Sequence, residues 1–137
     1  MKKEKAKKQN TGTVNYPLGD FLIRIKNASL ANKRTLDVPK SKLIKSVANA
    51  LEKEGFIDEV KEDKTKISLR IVYRSKEPII SEVHLISKPG LRIYKNVEEL
   101  EKIKGPFVYL ISTPKGVISM QQAIKKRLGG EVLAKIL

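Results

Sequence analysis

Two small α+β lobes, an N-terminal α-β-α-β-β sandwich and a strand-rich C-terminal domain with a short helix, are the fold class this sequence predicts. Three observations carry the prediction. Two amphipathic helical patterns flank a short strand in residues 17–55 and lead into an alternating hairpin. A polar, Pro-containing connection at residues 74–78 then marks a boundary. Beyond it, short apolar runs are punctuated by Pro89-Gly90 and Gly129-Gly130, which suits strands and turns. The division is a basic tail at 1–14, an N-terminal domain at 15–75 and a C-terminal domain at 76–137.

The elements follow in order. Pro17 opens a helix, since its ring presets φ and its missing N–H is an orphan at that position anyway. Leu18, Phe21, Leu22, Ile25 and Ala28 form its apolar stripe. Residues 35–38 read as a short strand ending at Pro39. Ser41 caps a second helix that buries Leu43, Ile44, Val47, Ala48 and Leu51 and stops at Gly55. Residues 56–62 and 65–73 form a hairpin around Asp63-Lys64, with Ile67, Leu69, Ile71 and Tyr73 on one face.

In the C-terminal part, residues 82–87 are a strand and Pro89-Gly90 suits a type II turn. Residues 91–95 continue extended, 97–103 form a short helix, and 107–112 a buried strand. Ser119-Met120-Gln121-Gln122 has capping-box form and opens a helix directing Met120, Ala123, Ile124 and Leu128 inward. Gly129-Gly130 stops it, and residues 131–137 are the last strand.

The chain has 137 residues, 29 Lys and Arg against 15 Asp and Glu, and a net charge of +14. Its 40% apolar content is enough for a core, so it is no disordered polycation. The excess charge is uneven: residues 1–15 carry +4, 16–46 carry +5, 47–66 carry −2, 67–100 carry +2 and 101–137 carry +5. Nucleic acid is the partner this implies. No apolar run spans a membrane, and no apolar segment follows the N-terminal lysines as a secretory signal would require. Cysteine is absent, which excludes disulfides and fits a reducing, cytoplasmic setting.

An enzyme lacks the inventory. His84 is the single histidine and lies in an apolar strand, where a structural imidazole is expected. No cluster of ligands suggests a metal, and the glycines have neither Walker nor dinucleotide spacing, so no cofactor is expected. Binding features are richer. Lys40, Lys42 and Lys45 crowd the start of the second helix against its dipole, either solvated or awaiting a phosphate. Lys125-Lys126-Arg127 at a helix C-terminus is a peripheral electrostatic contribution. In 87–94, a rigid Pro-Gly turn displays Lys88 and Arg92, with Tyr94 alternate to Arg92, a set suited to phosphate contact and stacking. Ser112-Thr113-Pro114-Lys115-Gly116 offers hydroxyls, backbone N–H groups and an ammonium to a polyanion. The Lys-rich tail is either a solvated solubility segment or a phosphate-binding arm.

Taken together, residues 17–28, Val38-Pro39-Lys40-Ser41-Lys42-Leu43, residues 87–94, and Ser112 to Gly116 with Gly129-Gly130-Glu131 resemble the bacterial-type family of small-subunit ribosomal protein eight. The likeness runs from about Asn15 to Leu137. It implies a ribosomal, cytoplasmic protein that binds the central domain of small-subunit rRNA early in assembly, beside neighbouring small-subunit proteins such as protein five. It also implies that some members bind their own mRNA as repressors. By position, Ser112, Thr113, Lys115 and Gly116 would form the contacting loop, with Glu131 accepting hydrogen bonds from it and Gly130 supporting it. Lys88, Arg92 and Tyr94 would hold adjoining RNA backbone, and Arg24 and Lys42 would add contacts from the N-terminal domain. This chain departs from the family pattern at Pro114, which stands where serine is usual. Met120-Gln121-Gln122 replaces an acidic helix start, and Asn15-Tyr16 replaces Thr-Asp. The Lys-rich tail is additional, and the end lacks the usual aromatic residue.

Overall fold

The computed structural model describes residues 16–137, so the tail expected at 1–14 lies outside the described residues. Helix α1 (Pro17–Leu30) begins at its proline and buries Leu18, Phe21, Leu22, Ile25 and Ala28, the expected stripe. Strand β1 (Thr35–Pro39) leads into α2 (Lys42–Lys53), where Ser41 Oγ accepts the Ile44 amide at 3.1 Å. That helix buries Ile44, Val47, Ala48 and Leu51, but Leu43 at its outer edge is exposed, contrary to the sequence reading. Gly55 ends it at φ +86°, a conformation glycine adopts without steric cost.

Strands β2 (Ile57–Glu62) and β3 (Lys66–Ile71) make the expected hairpin, and the sheet order is β1-β3-β2. Asp63 closes the turn by accepting the amides of Thr65 and Lys66 at 2.8 and 2.9 Å. A bulge shifts the β2 register between Asp58 and Lys61, with Glu59 at φ +50°. It brings both Asp58 and Glu59 to Arg70, at 2.8 and 2.9 Å. The connection at 74–78 is not a plain linker. It folds as a small hairpin of β4 (Tyr73–Arg74) and β5 (Glu77–Pro78), with Ser75 and Lys76 both at positive φ as in a type I′ turn.

The C-terminal lobe contains β6 (Val83–Leu85), β7 (Tyr94–Lys95), α3 (Val97–Glu101), β8 (Val108–Thr113), β9 (Gly116–Ser119), α4 (Met120–Lys125) and β10 (Gly130–Ile136). Its sheet runs β6-β10-β8-β9, and β7 pairs with the first residues of β10. Strand β9 is absent from the sequence reading because four residues, the first a glycine, give too little pattern to register. His84 on β6 faces solvent rather than the core. It meets Glu82 Oε1 at 2.8 Å and the edge of Phe107.

The lobes are not separately cored. Phe21, Ile25, Val47, Leu51, Ile67 and Leu69 form one cluster with Leu110, Val117, Leu133, Ala134 and Ile136. A smaller cluster of Leu100, Ile111, Ala123 and Val132 fills the other side of the C-terminal sheet, beneath α3 and α4. Shared burial of this kind fixes each lobe against the other, so groups from both keep a set spacing.

Candidate nucleic-acid interface

The sheet register assembles the C-terminal candidates. Glu131 on β10 pairs with Tyr94 of β7 on one side and with Ser112 of β8 on the other. Directly opposed residues in adjacent antiparallel strands project from the same face, about 5 Å apart. Tyr94, Glu131 and Ser112 therefore form one row across three strands, although 37 positions separate the first and second. Tyr94 is exposed, while Glu131 and Ser112 are half-buried.

The paired glycines make this row possible. A Cβ on Gly130 would overlap the Ser112 carbonyl, and one on Gly129 would lie 2.7 Å from the Lys95 carbonyl oxygen. The start of β10 threads between two backbones with room for neither methyl. Gly130 thus supports Ser112 by close backbone approach, not by φ, which is ordinary for both residues.

Residues 113–116 form a tight hairpin tip joining β8 to β9. Pro114 and Gly116 occupy the positions a type I turn favours for those residues. Thr113 Oγ1 accepts the Lys115 amide at 3.1 Å and donates to the Gly116 carbonyl at 2.8 Å. Thr113 is buried, so in the free protein its hydroxyl braces the turn instead of standing open to a polyanion. Lys115 is displayed at the tip. Behind the turn, Val117 donates its amide to Ser46 Oγ on α2 at 3.0 Å, which anchors the tip to the N-terminal lobe.

Glu131 differs from its expected role. Its carboxylate reaches Arg92 Nη1 at 3.2 Å, and the Ser112–Gly116 turn instead holds itself through Thr113. The side chain of Glu131 is 17% exposed, so the pair is shielded on one side, while that of Arg92 is 44% exposed. Arg92 also lies over the Tyr16 ring, 5.7 Å from its centre. Lys88 starts the type II turn expected from Pro89-Gly90: Leu91 donates to the Lys88 carbonyl at 2.9 Å, and Gly90 has φ +86°. Buried Ser87 ties the base of that turn by accepting the Ile93 amide at 2.9 Å.

Arg24 and Lys42 lie apart, on the N-terminal lobe. Arg24 donates to the Asp37 carbonyl at 2.8 Å and lines a groove of about 630 Å³ between α1 and the β1–α2 junction. Lys42 is exposed at the first turn of α2. Its neighbours Lys40 and Lys45 both pair with Glu62 from the hairpin. Hydrogen bonds from Lys45 and then Lys40 hold the Glu62 carboxyl below its ordinary range. The acidic stretch of the sequence thus folds back over part of the basic one.

Sequence reasoning missed Tyr16, Ser46 and Ser87. The Tyr16 hydroxyl donates to the Ser87 carbonyl at 2.7 Å, and its burial raises its pKa, with Arg92 opposing that rise and Glu131 adding to it. Tyr16–Ser87 and Ser46–Val117 are both contacts between residues 71 apart, for which single-residue patterns carry no signal.

The structure defines a two-lobed α+β protein whose lobes share one core. The chain is a member of the ribosomal protein S8 family, whose pattern matches residues 16–137. It is 44% identical over 127 residues to small ribosomal subunit protein uS8 of Prochlorococcus marinus (strain MIT 9301), covering 88% of this chain and 96% of that one. Against the uS8 protein of Pseudomonas paraeruginosa it is 43% identical over 124 residues, with 88% and 95% covered.

Proposed function

We propose that this chain is a non-enzymatic constituent of the small ribosomal subunit that binds the central domain of small-subunit rRNA early in assembly. Its family and its relatives' name support the ribosomal role. The finer reading rests on one observation: Tyr94, Glu131 and Ser112 form a single row, flanked by Arg92 and the tip lysine Lys115.

Such a row suits irregular RNA. A-form duplexes are read through shape, 2′-hydroxyls and phosphates, and bases become available where pairing is distorted. Tyr94 offers a ring for stacking, Ser112 a hydroxyl for a 2′-OH or base edge, and Arg92, Lys88 and Lys115 offer charge to phosphates. Arg24 and Lys42 extend the contact onto the N-terminal lobe. Thr113 and Gly116 contribute by shaping the tip. Neighbouring small-subunit proteins, protein five among them, complete the setting, and the protein works on cytoplasmic ribosomes.

Filter binding tests this reading with a central-domain rRNA fragment and an unrelated structured RNA across a salt series. The fragment is expected to win at every salt concentration, and equal binding to both RNAs would reject the proposal. Lys115→Ala is expected to weaken fragment binding by about 1–2 kcal/mol and to lower the salt slope by roughly one phosphate contact.

A further inference from the structure

We propose that Tyr16 is a positioning residue for the RNA surface, holding Arg92 in the orientation from which it meets a phosphate. This rests on the reading of Arg92 as an RNA contact.

Two local choices in α1 run against helix chemistry. Tyr16 occupies the N-cap position, where Ser, Thr, Asp and Asn are preferred, and its side chain makes no capping hydrogen bond. Gly19 lies buried within the helix, where glycine is the least favourable residue after proline. Each choice explains the other. A Cβ on Gly19 would lie 2.6 Å from Tyr16 Cδ2, so the missing side chain makes the seat for the tyrosine ring. Consistent local violations of this kind mark a position kept for something other than stability.

The seated ring reaches across the lobes. Its hydroxyl donates to the carbonyl of Ser87 at 2.7 Å, and the Ser87 hydroxyl in turn accepts the Ile93 amide. Both ends of the 88–92 turn are thereby referred to α1. The ring centre lies 5.7 Å from the Arg92 guanidinium carbon, while Glu131 takes Nη1 at 3.2 Å. Arg92 is thus held between a carboxylate and an aromatic face while remaining 44% exposed. A phosphate approaching the exposed side of the guanidinium would leave both contacts in place. A guanidinium already extended over the ring has less freedom to lose on binding.

The test uses the full chain and the central-domain RNA fragment, with Tyr16→Leu, Arg92→Ala and the double variant. Tyr16→Leu is expected to weaken binding about threefold to fivefold, the scale of an exposed cation–π contact. In the Arg92→Ala background the same change is expected to do nothing further. An equal loss in both backgrounds would overturn the positioning role alone. Full affinity in Arg92→Ala would overturn the reading of Arg92 as an RNA contact, and this proposal with it. A second readout needs no RNA. The Arg92 side-chain N–H resonance is expected to be shifted by the ring current in the native protein and in Tyr16→Phe. That shift should be lost in both Tyr16→Leu and Gly19→Ala. An Arg92 resonance unchanged across all four proteins would equally overturn the proposal.

Discussion

Val117 donates its backbone amide to Ser46 Oγ at 3.0 Å, which joins the strand after the displayed hairpin tip to a helix of the opposite lobe. The bond sits beside buried Val117, which belongs to the core shared by the two lobes. It converts a surface turn into part of a rigid body.

Ser46→Ala would leave that amide without its partner in a poorly solvated place. The expected cost is on the order of 1–2 kcal/mol of folding stability. Urea unfolding would read it as a lower midpoint with an unchanged slope, because the same surface is exposed on unfolding. Stability equal to that of the native protein would show that the lobes do not depend on this contact.

Gly130→Ala places a methyl on the Ser112 carbonyl. Strands β8 and β10 must then separate at the candidate interface, with an expected loss of roughly 1–3 kcal/mol by overpacking. Amide exchange should quicken at Ser112 and Thr113 more than in the β1-β3-β2 sheet. Uniform loosening of the whole chain would argue that Gly130 has no special bearing on the interface.

Glu131 carries negative charge into the surface proposed to meet RNA, so its removal poses a sharp question. If it orders Arg92, Glu131→Ala is expected to weaken RNA binding by about 1 kcal/mol, the scale of a partly exposed ion pair. Glu131→Gln, which keeps the shape and an acceptor oxygen, should retain more affinity. Tighter binding by Glu131→Ala would mean that repulsion of phosphate outweighs any ordering.

Acid sensitivity should be concentrated in the N-terminal lobe. Glu62 and Asp58 both have carboxyl pKa values lowered in the folded protein, chiefly by hydrogen bonds from Lys45 and Arg70 respectively. A lowered folded pKa contributes stability that is present above the unfolded value and lost as pH falls through the folded one. The melting temperature is therefore expected to decline as pH drops below roughly 4 to 5, the ordinary carboxylate range. Glu62→Gln should flatten part of that decline. An identical pH profile in the variant would remove Glu62 from the explanation.

Much of the fold was legible because its signals are local. Pro17 and Ser41 start their helices, Asp63 and Pro89-Gly90 turn the chain, and the alternation in β3 buries Ile67, Leu69 and Ile71 as written. The β4–β5 hairpin was hidden because Ser75 and Lys76 take a turn usually signalled by glycine or asparagine. Strand β9 was hidden by its brevity. At the candidate interface, the sequence picks out Lys88, Arg92, Tyr94, Ser112 and Lys115, but not how β10 aligns them. It also could not show that Thr113 spends its hydroxyl inside the turn, that Glu131 turns to Arg92, or that Glu62 covers Lys40 and Lys45. Those outcomes depend on partners distant along the chain, and residue type alone does not name them.

An NMR titration of the labelled protein with the central-domain rRNA fragment tests the proposed RNA surface residue by residue. The largest amide and side-chain perturbations are expected at Lys88, Arg92, Tyr94, Ser112 and Lys115, with a second, smaller group at Arg24 and Lys42. Perturbations centred instead on the Glu82, His84 and Phe107 face, with the Tyr94–Glu131–Ser112 row unmoved, would contradict it.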